Sequence, residues 1–220
     1  MILNLISGLG ANEKVFARLN LQGFDVNHVK WISPKKNESL THYAARLSKQ
    51  IVVSENYAIA GLSFGGIMAS EITELIQQKP KKTILISSVK TWHELSYIMK
   101  KGRQYPLHKL IQKPMLDIGN PLVYWYFGLK TENQKKLLHQ FLSESDPDYI
   151  KWAINEIVNR QRETPIDNLV QIHGNKDNVF PIKNITPNHT IKGASHFMVY
   201  THAHLVSKIL KEELFNLPEN

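Results

Sequence analysis

Apolar positions in the first two-fifths of the chain follow two alternating rhythms. Residues 1–6 form a short apolar run with strand character, closed by Ser7-Gly8-Leu9-Gly10. Residues 12–19 read as a short helix, and 24–29 as a second strand. Leu40, Ala44, Leu47 and Ile51 then recur at i, i+4, i+7 and i+11, which is one face of a helix. A third strand, 57–62, runs through Ser63 into a helical stretch at 67–77, and an Ile- and Leu-rich fourth strand follows at 83–88. Strands that alternate with helices predict βαβ units, hence a parallel sheet covered on both faces. The connections are expected to be right-handed crossovers.

From residue 89 to about 168 no strand is convincing. Leu137, Leu138, Phe141 and Leu142 mark one helix. Asp146-Pro147 starts another, with Asp as the cap and Pro at the first helical position. Ile150, Ala153, Ile154, Ile157 and Val158 continue it at i, i+3, i+4, i+7 and i+8. The block is too long for a plain loop in a compact domain, so it reads as an inserted helical cap within a single domain spanning 1–220. The α/β rhythm resumes with strands at 169–173 and 190–192. A closing helix carries Leu205, Val206, Ile209 and Leu210.

Composition narrows the field by exclusion. Hydrophobic residues make up 42% and charged residues 21% of 220, which is ordinary for a folded domain. The absence of cysteine excludes disulfides, thiolate metal sites and a cysteine nucleophile. The net charge of +8 raises a nucleic-acid reading. The basic residues are scattered, however, and match no zinc finger, RNP motif or continuous basic helix, so no nucleic-acid partner is expected. No apolar stretch approaches the roughly 20 residues of a membrane span. Residues 1–6 have neither the basic start nor the length of a signal peptide, and a cytoplasmic protein is expected.

The chemistry concentrates at strand ends. Gly61-Leu62-Ser63-Phe64-Gly65 is G-x-S-x-G between a strand and a helix, the setting of a nucleophile elbow. A serine on so sharp a turn needs nearly side-chain-free neighbours two residues to either side. Its hydroxyl then stands at a helix N-terminus, where developing negative charge is favoured. A serine also needs a base, and the base needs an orienting carboxylate. In an open α/β sheet both should lie at the carboxyl ends of strands. Asp177 sits just past the strand 169–173, and His196 just past 190–192. Together they complete the order Ser63, Asp177, His196. The backbone N–H of Phe64 and that of Leu9, in the glycine loop after the first strand, are the expected oxyanion donors.

Nine other histidines compete with His196. His202 and His204 resemble a metal pair, but on a helix i and i+2 do not face each other. His173 lies in or at the end of a strand and is expected to pack or hydrogen-bond. No His/carboxylate spacing reads as a zinc site, so neither metal nor cofactor is expected.

These features resemble the α/β-hydrolase superfamily, in particular its small helical-capped serine hydrolases such as the BioH-like esterases and MenH-like enzymes. The resemblance covers nearly the whole chain. It rests on the early glycine loop, the elbow Gly61–Gly65, the acid loop from Gly174 to Asp177, and Gly193-Ala194-Ser195-His196. It implies an α/β fold with a mostly parallel sheet, a cap at 89–168, no cofactor, and Ser63, Asp177 and His196 as a catalytic triad. Two departures are visible. Ser7-Gly8 stands where relatives usually carry His-Gly, and the usual N-terminal antiparallel hairpin has no counterpart, so about six strands are expected rather than eight.

The function expected on this basis is hydrolysis of small or medium acyl esters or thioesters through an acyl-enzyme, with a small-molecule acyl substrate. The same triad also serves C–C bond hydrolases or lyases, and a ligand receptor can retain it with little turnover. The aromatics Trp92, Tyr97, Tyr124, Trp125 and Phe127 are the candidate walls of an apolar substrate pocket.

Overall fold

A computed structural model describes residues 1–105, 110 and 121–215. The sheet has six strands: β1 (Ile2–Ile6), β2 (Asp25–Val29), β3 (Tyr57–Leu62), β4 (Thr83–Ile86), β5 (Leu169–Gly174) and β6 (His189–Ile191). Their order across the sheet is β2-β1-β3-β4-β5-β6, and every neighbouring pair is parallel. β3 is central, with Ile6 of β1 opposite Gly61 and Ile86 of β4 opposite Leu62.

Alternation along β3 shows why its sequence is an uninterrupted apolar run. Ala58, Ala60 and Leu62 enter the core on one face, and Tyr57 and Ile59 enter the core on the other. With both faces covered, neither can be polar. Helices α1 (Leu40–Leu47) and α2 (Phe64–Leu75) cover the Ile59 face, where Tyr43, Leu47, Phe64, Ile67 and Met68 are buried. The opposite face is covered by a 3₁₀ turn at Glu13–Phe16 and by the C-terminal helix.

Between β4 and β5 the described residues hold a 3₁₀ turn at Trp92–Glu94, no strand, and four α-helices: α3 (Tyr97–Gly102), α4 (Pro121–Phe127), α5 (Glu132–Glu144) and α6 (Pro147–Asn159). The helix starts are encoded locally. The Asp146 side chain caps α6 by accepting from the Asp148 N–H, with Pro147 at the first turn. Thr131 and Gln134 form a reciprocal capping box at α5. After β6 come a short helix, α7 (Met198–Thr201), and α8 (Ala203–Phe215). Several expected boundaries move: the strand expected at 83–88 ends at Ile86, and the one expected at 190–192 is His189–Ile191. The helix expected from residue 67 starts at Phe64, directly after Ser63, and the helix expected at 12–19 is only the single 3₁₀ turn.

Candidate active site

The turn from β3 into α2 is built by steric exclusion. Ser63 has φ 53° and ψ −118°, a left-handed conformation that costs about 1–3 kcal/mol for a residue with a side chain. The turn is held in place by hydrogen bonds. The Ser63 N–H donates to the Ile86 carbonyl (2.9 Å), and the Ser63 carbonyl accepts from Ser88 Oγ (2.7 Å) and the Gly66 N–H (2.9 Å). There is no room for larger flanking residues. A Cβ on Gly61 would overlap the Gly65 carbonyl, and one on Gly65 would overlap the Ile6 and Ser7 carbonyls.

The acid and base loops leave neighbouring strands and are tied together. The Lys176 N–H donates to the Ala194 carbonyl (2.9 Å). The Gly193 N–H donates to Asn175 Oδ1 (2.7 Å). These bonds bring together three side chains that lie far apart in the chain. His196 Nε2 is 2.9 Å from Ser63 Oγ, and His196 Nδ1 is 2.8 Å from Asp177 Oδ2. The other Asp177 oxygen accepts from the Val179 N–H (2.8 Å) and the Phe180 N–H (2.9 Å). Asp177 is 4% exposed and His196 3%. The imidazole makes T-shaped contacts with Phe127 and Phe180, with ring centroids 5.4 and 5.5 Å away. This is a serine–imidazole–carboxylate relay: the carboxylate can hold the imidazole in one tautomer while the free nitrogen takes the hydroxyl proton.

His173 lies behind the relay, inside β5 and fully buried. Its Nε2 is 2.8 Å from the Phe180 carbonyl and 3.5 Å from Asp177 Oδ2. Burial pushes its pKa below the ordinary imidazole value, with the Asp177 charge opposing in part. A neutral His173 therefore donates to the Phe180 carbonyl and braces the acid loop without competing as a second imidazolium for Asp177.

Above Ser63 lies a cavity of about 310 Å³. Its floor contains Leu9, Leu62, Ser63 and His196. Its walls come from α3 through α6: Met99; Val123, Tyr126 and Phe127; Leu138, Phe141 and Leu142; Ile150, Ile154, Ile157 and Val158. The lining is apolar apart from Ser63, His196 and the tip of Tyr126, whose hydroxyl pKa is raised by burial. Leu9 and Ser63 face the same space, and Phe64 is the first residue of α2, where a backbone N–H has no acceptor within the helix.

Of the five aromatics expected to wall the pocket, Phe127 alone lines this cavity. Successive helical residues turn by about 100°, so Val123, Tyr126 and Phe127 of α4 face inward together. Tyr124 packs on the core cluster beneath, and Trp125 is 62% exposed. Tyr97 opens α3 toward solvent at 73% exposure. The Trp92 indole N–H donates to Glu163 Oε1 (2.8 Å) at the surface. The wall residues that sequence reading missed were visible as helical apolar stripes, notably Ile150, Ile154, Ile157 and Val158. Such a stripe does not say whether it faces a solid core or a cavity. Among the described residues no cluster of three or more His, Asp or Glu side chains could hold a metal ion, and no helix is long and apolar enough to cross a membrane.

No protein-family model matches the chain, and no curated protein matches its sequence. Solved structures do match. An esterase from Exiguobacterium antarcticum superposes with a TM-score of 0.74 at 15% identity, over 98% of this chain and 92% of that one. A hydrolase from Oleispira antarctica gives 0.71 at 15% identity, over 98% and 91%. A lipase-esterase related protein from Clostridium acetobutylicum gives 0.68 at 15% identity, over 96% and 93%. The chain therefore has the α/β-hydrolase fold, with a six-stranded parallel sheet flanked by helices.

Proposed function

We propose that this protein is a serine hydrolase that cleaves small or medium acyl esters or thioesters. The observation that carries the reading is the relay from Ser63 Oγ to His196 Nε2 (2.9 Å) and from His196 Nδ1 to Asp177 (2.8 Å), opening onto an apolar cavity. The fold neighbours named as a hydrolase and an esterase support the same class.

In this reading His196 Nε2 takes the Ser63 proton as Oγ attacks the acyl carbonyl carbon. The carbonyl oxygen becomes an oxyanion, held by the N–H groups of Phe64 and Leu9. Asp177 stabilises the imidazolium. The intermediate collapses, the leaving alcohol or thiol departs with the proton from His196, and the acyl group stays on Ser63. Water, deprotonated by the same imidazole, then releases the acid. The described helices within residues 89–168 act as the cap: α3 through α6 close over Ser63, keep water from the oxyanion and receive the acyl chain.

Methylene burial sets the expected preference. Each CH₂ moved from water into such a wall contributes about 0.8 kcal/mol. Turnover of p-nitrophenyl esters and acyl thioesters from acetyl to octanoyl should rise with chain length and then fall. A protein that binds these compounds but gives at most one slow turnover would be a receptor, and the hydrolase reading would fail.

A further inference from the structure

Trp31, two residues beyond β2, is hydrogen-bonded to the glycine loop that follows β1. Its indole N–H donates to Ser7 Oγ (2.9 Å) and to the Gly8 carbonyl (3.1 Å). The Gly8 carbonyl also accepts from the Ala11 N–H at 3.0 Å, and Ser7 Oγ donates to the Ala11 carbonyl at 2.7 Å. The Gly8 carbonyl and the Leu9 N–H belong to one peptide unit. No cis peptide bond occurs among the described residues, and in a trans unit the two groups point in opposite directions. Pinning the carbonyl on the Trp31 side therefore aims the Leu9 N–H the other way, and Leu9 lines the cavity with Ser63. The Trp31 ring also stacks on Phe64, with centroids 5.4 Å apart and planes at 20°. Tyr149 packs on the same ring at 5.7 Å, which limits its freedom to turn. One side chain thus touches the segments that carry both expected oxyanion donors.

We infer that Trp31 is the positioning residue of the oxyanion hole, acting through its bond to the Gly8–Leu9 peptide and its stack on Phe64. The inference rests on the reading of Ser63 as nucleophile and of the Leu9 N–H as an oxyanion donor. A donor displaced by about 1 Å loses much of its value in the transition state while the ground state barely changes. Trp31→Phe keeps an aromatic ring on Phe64 but removes the N–H, and Ser7→Ala removes the second acceptor of that N–H.

Trp31→Phe should lower kcat for p-nitrophenyl butyrate roughly ten- to a hundredfold and leave KM within about twofold. Affinity for an alkyl trifluoromethyl ketone, whose hemiketal with Ser63 carries the oxyanion, should fall by the same factor. Affinity for the matching secondary alcohol, which has no carbonyl, should hold. Ser7→Ala should move the same quantities in the same direction by less. The ¹⁵N order parameter of the Leu9 amide reads the positioning without turnover, and it should drop in Trp31→Phe. An unchanged Leu9 amide, or alcohol affinity falling as far as ketone affinity, overturns the inference. A wild-type protein that neither hydrolyses the ester nor binds the ketone overturns the functional reading instead, and the Leu9 amide then decides the positioning by itself.

Discussion

The rim of the sheet and the wall of the cavity above it are built on opposite principles. At the rim, the members of the relay have specified partners: a carbonyl for the Ser63 N–H, two backbone N–H groups and an imidazole for Asp177, a hydroxyl for His196. The backbone there tolerates almost no substitution, because a Cβ at Gly61 or Gly65 has nowhere to go. In the wall, α3 through α6 present aliphatic and aromatic carbon with few directional contacts. A leucine there exchanges for a methionine at small cost, and what changes is volume. The rim should therefore set whether a reaction occurs, and the wall which acyl chain undergoes it.

The largest effect that separates the two belongs to the rim. Asp177→Asn keeps the shape of the relay but leaves His196 in the wrong tautomer. It should lower kcat on the order of 10⁴ with little change in KM. Steady-state kinetics on one short-chain ester measure both. A loss of less than tenfold would mean that another group orients the imidazole.

A wall substitution should behave in the opposite way. Ile154 is half-buried and lines the cavity from α6. Ile154→Phe adds volume where there is space. Exclusion of two methylenes is worth about 1.6 kcal/mol, or roughly fifteenfold. Octanoyl kcat/KM should fall by about that factor while acetyl kcat/KM stays within twofold. A uniform loss across chain lengths would place Ile154 in the reactive geometry and erase the division between rim and wall.

The smallest effect concerns stability at the rim. Burial holds the His173 imidazole below its ordinary value of 6.5, so the folded chain favours its neutral form. The unfolded chain binds the proton more readily, and stability rises with pH where the two states differ. The contribution is complete above 6.5 and is lost as pH falls through the lower folded value. The Tm of wild type should therefore drop more between pH 7 and pH 5 than that of His173→Gln. Some slope should remain in the variant, because burial lowers the pKa of His28 as well. Equal slopes in the two proteins would mean that His173 titrates in the fold as it does in the unfolded chain.

How far each region was readable in the sequence follows from the same contrast. Rim chemistry is local. G-x-S-x-G between a strand and a helix, and single residues just past strand ends, are short signals with a steric cause. They predicted which strands would carry Ser63, Asp177 and His196. The sheet was readable because both its faces are buried, which leaves uninterrupted apolar runs. Wall geometry is not local. Tyr124, Trp125 and Phe127 were expected to wall the pocket together, yet a helix spreads consecutive side chains around its circumference, and of these three the cavity takes only Phe127. Trp31 had no readable role, because its acceptors lie 23 and 24 residues earlier and their meeting depends on the pairing of β1 with β2.

The central claim is that the Ser63 hydroxyl is the nucleophile and that His196 activates it. Covalent labelling by a fluorophosphonate, read by intact mass and by mapping the modified peptide, tests it most directly. One label per chain on Ser63 is predicted, with none in Ser63→Ala and much slower labelling in His196→Ala. Labelling that persists in Ser63→Ala, or that maps to another residue in the wild-type chain, would contradict the account.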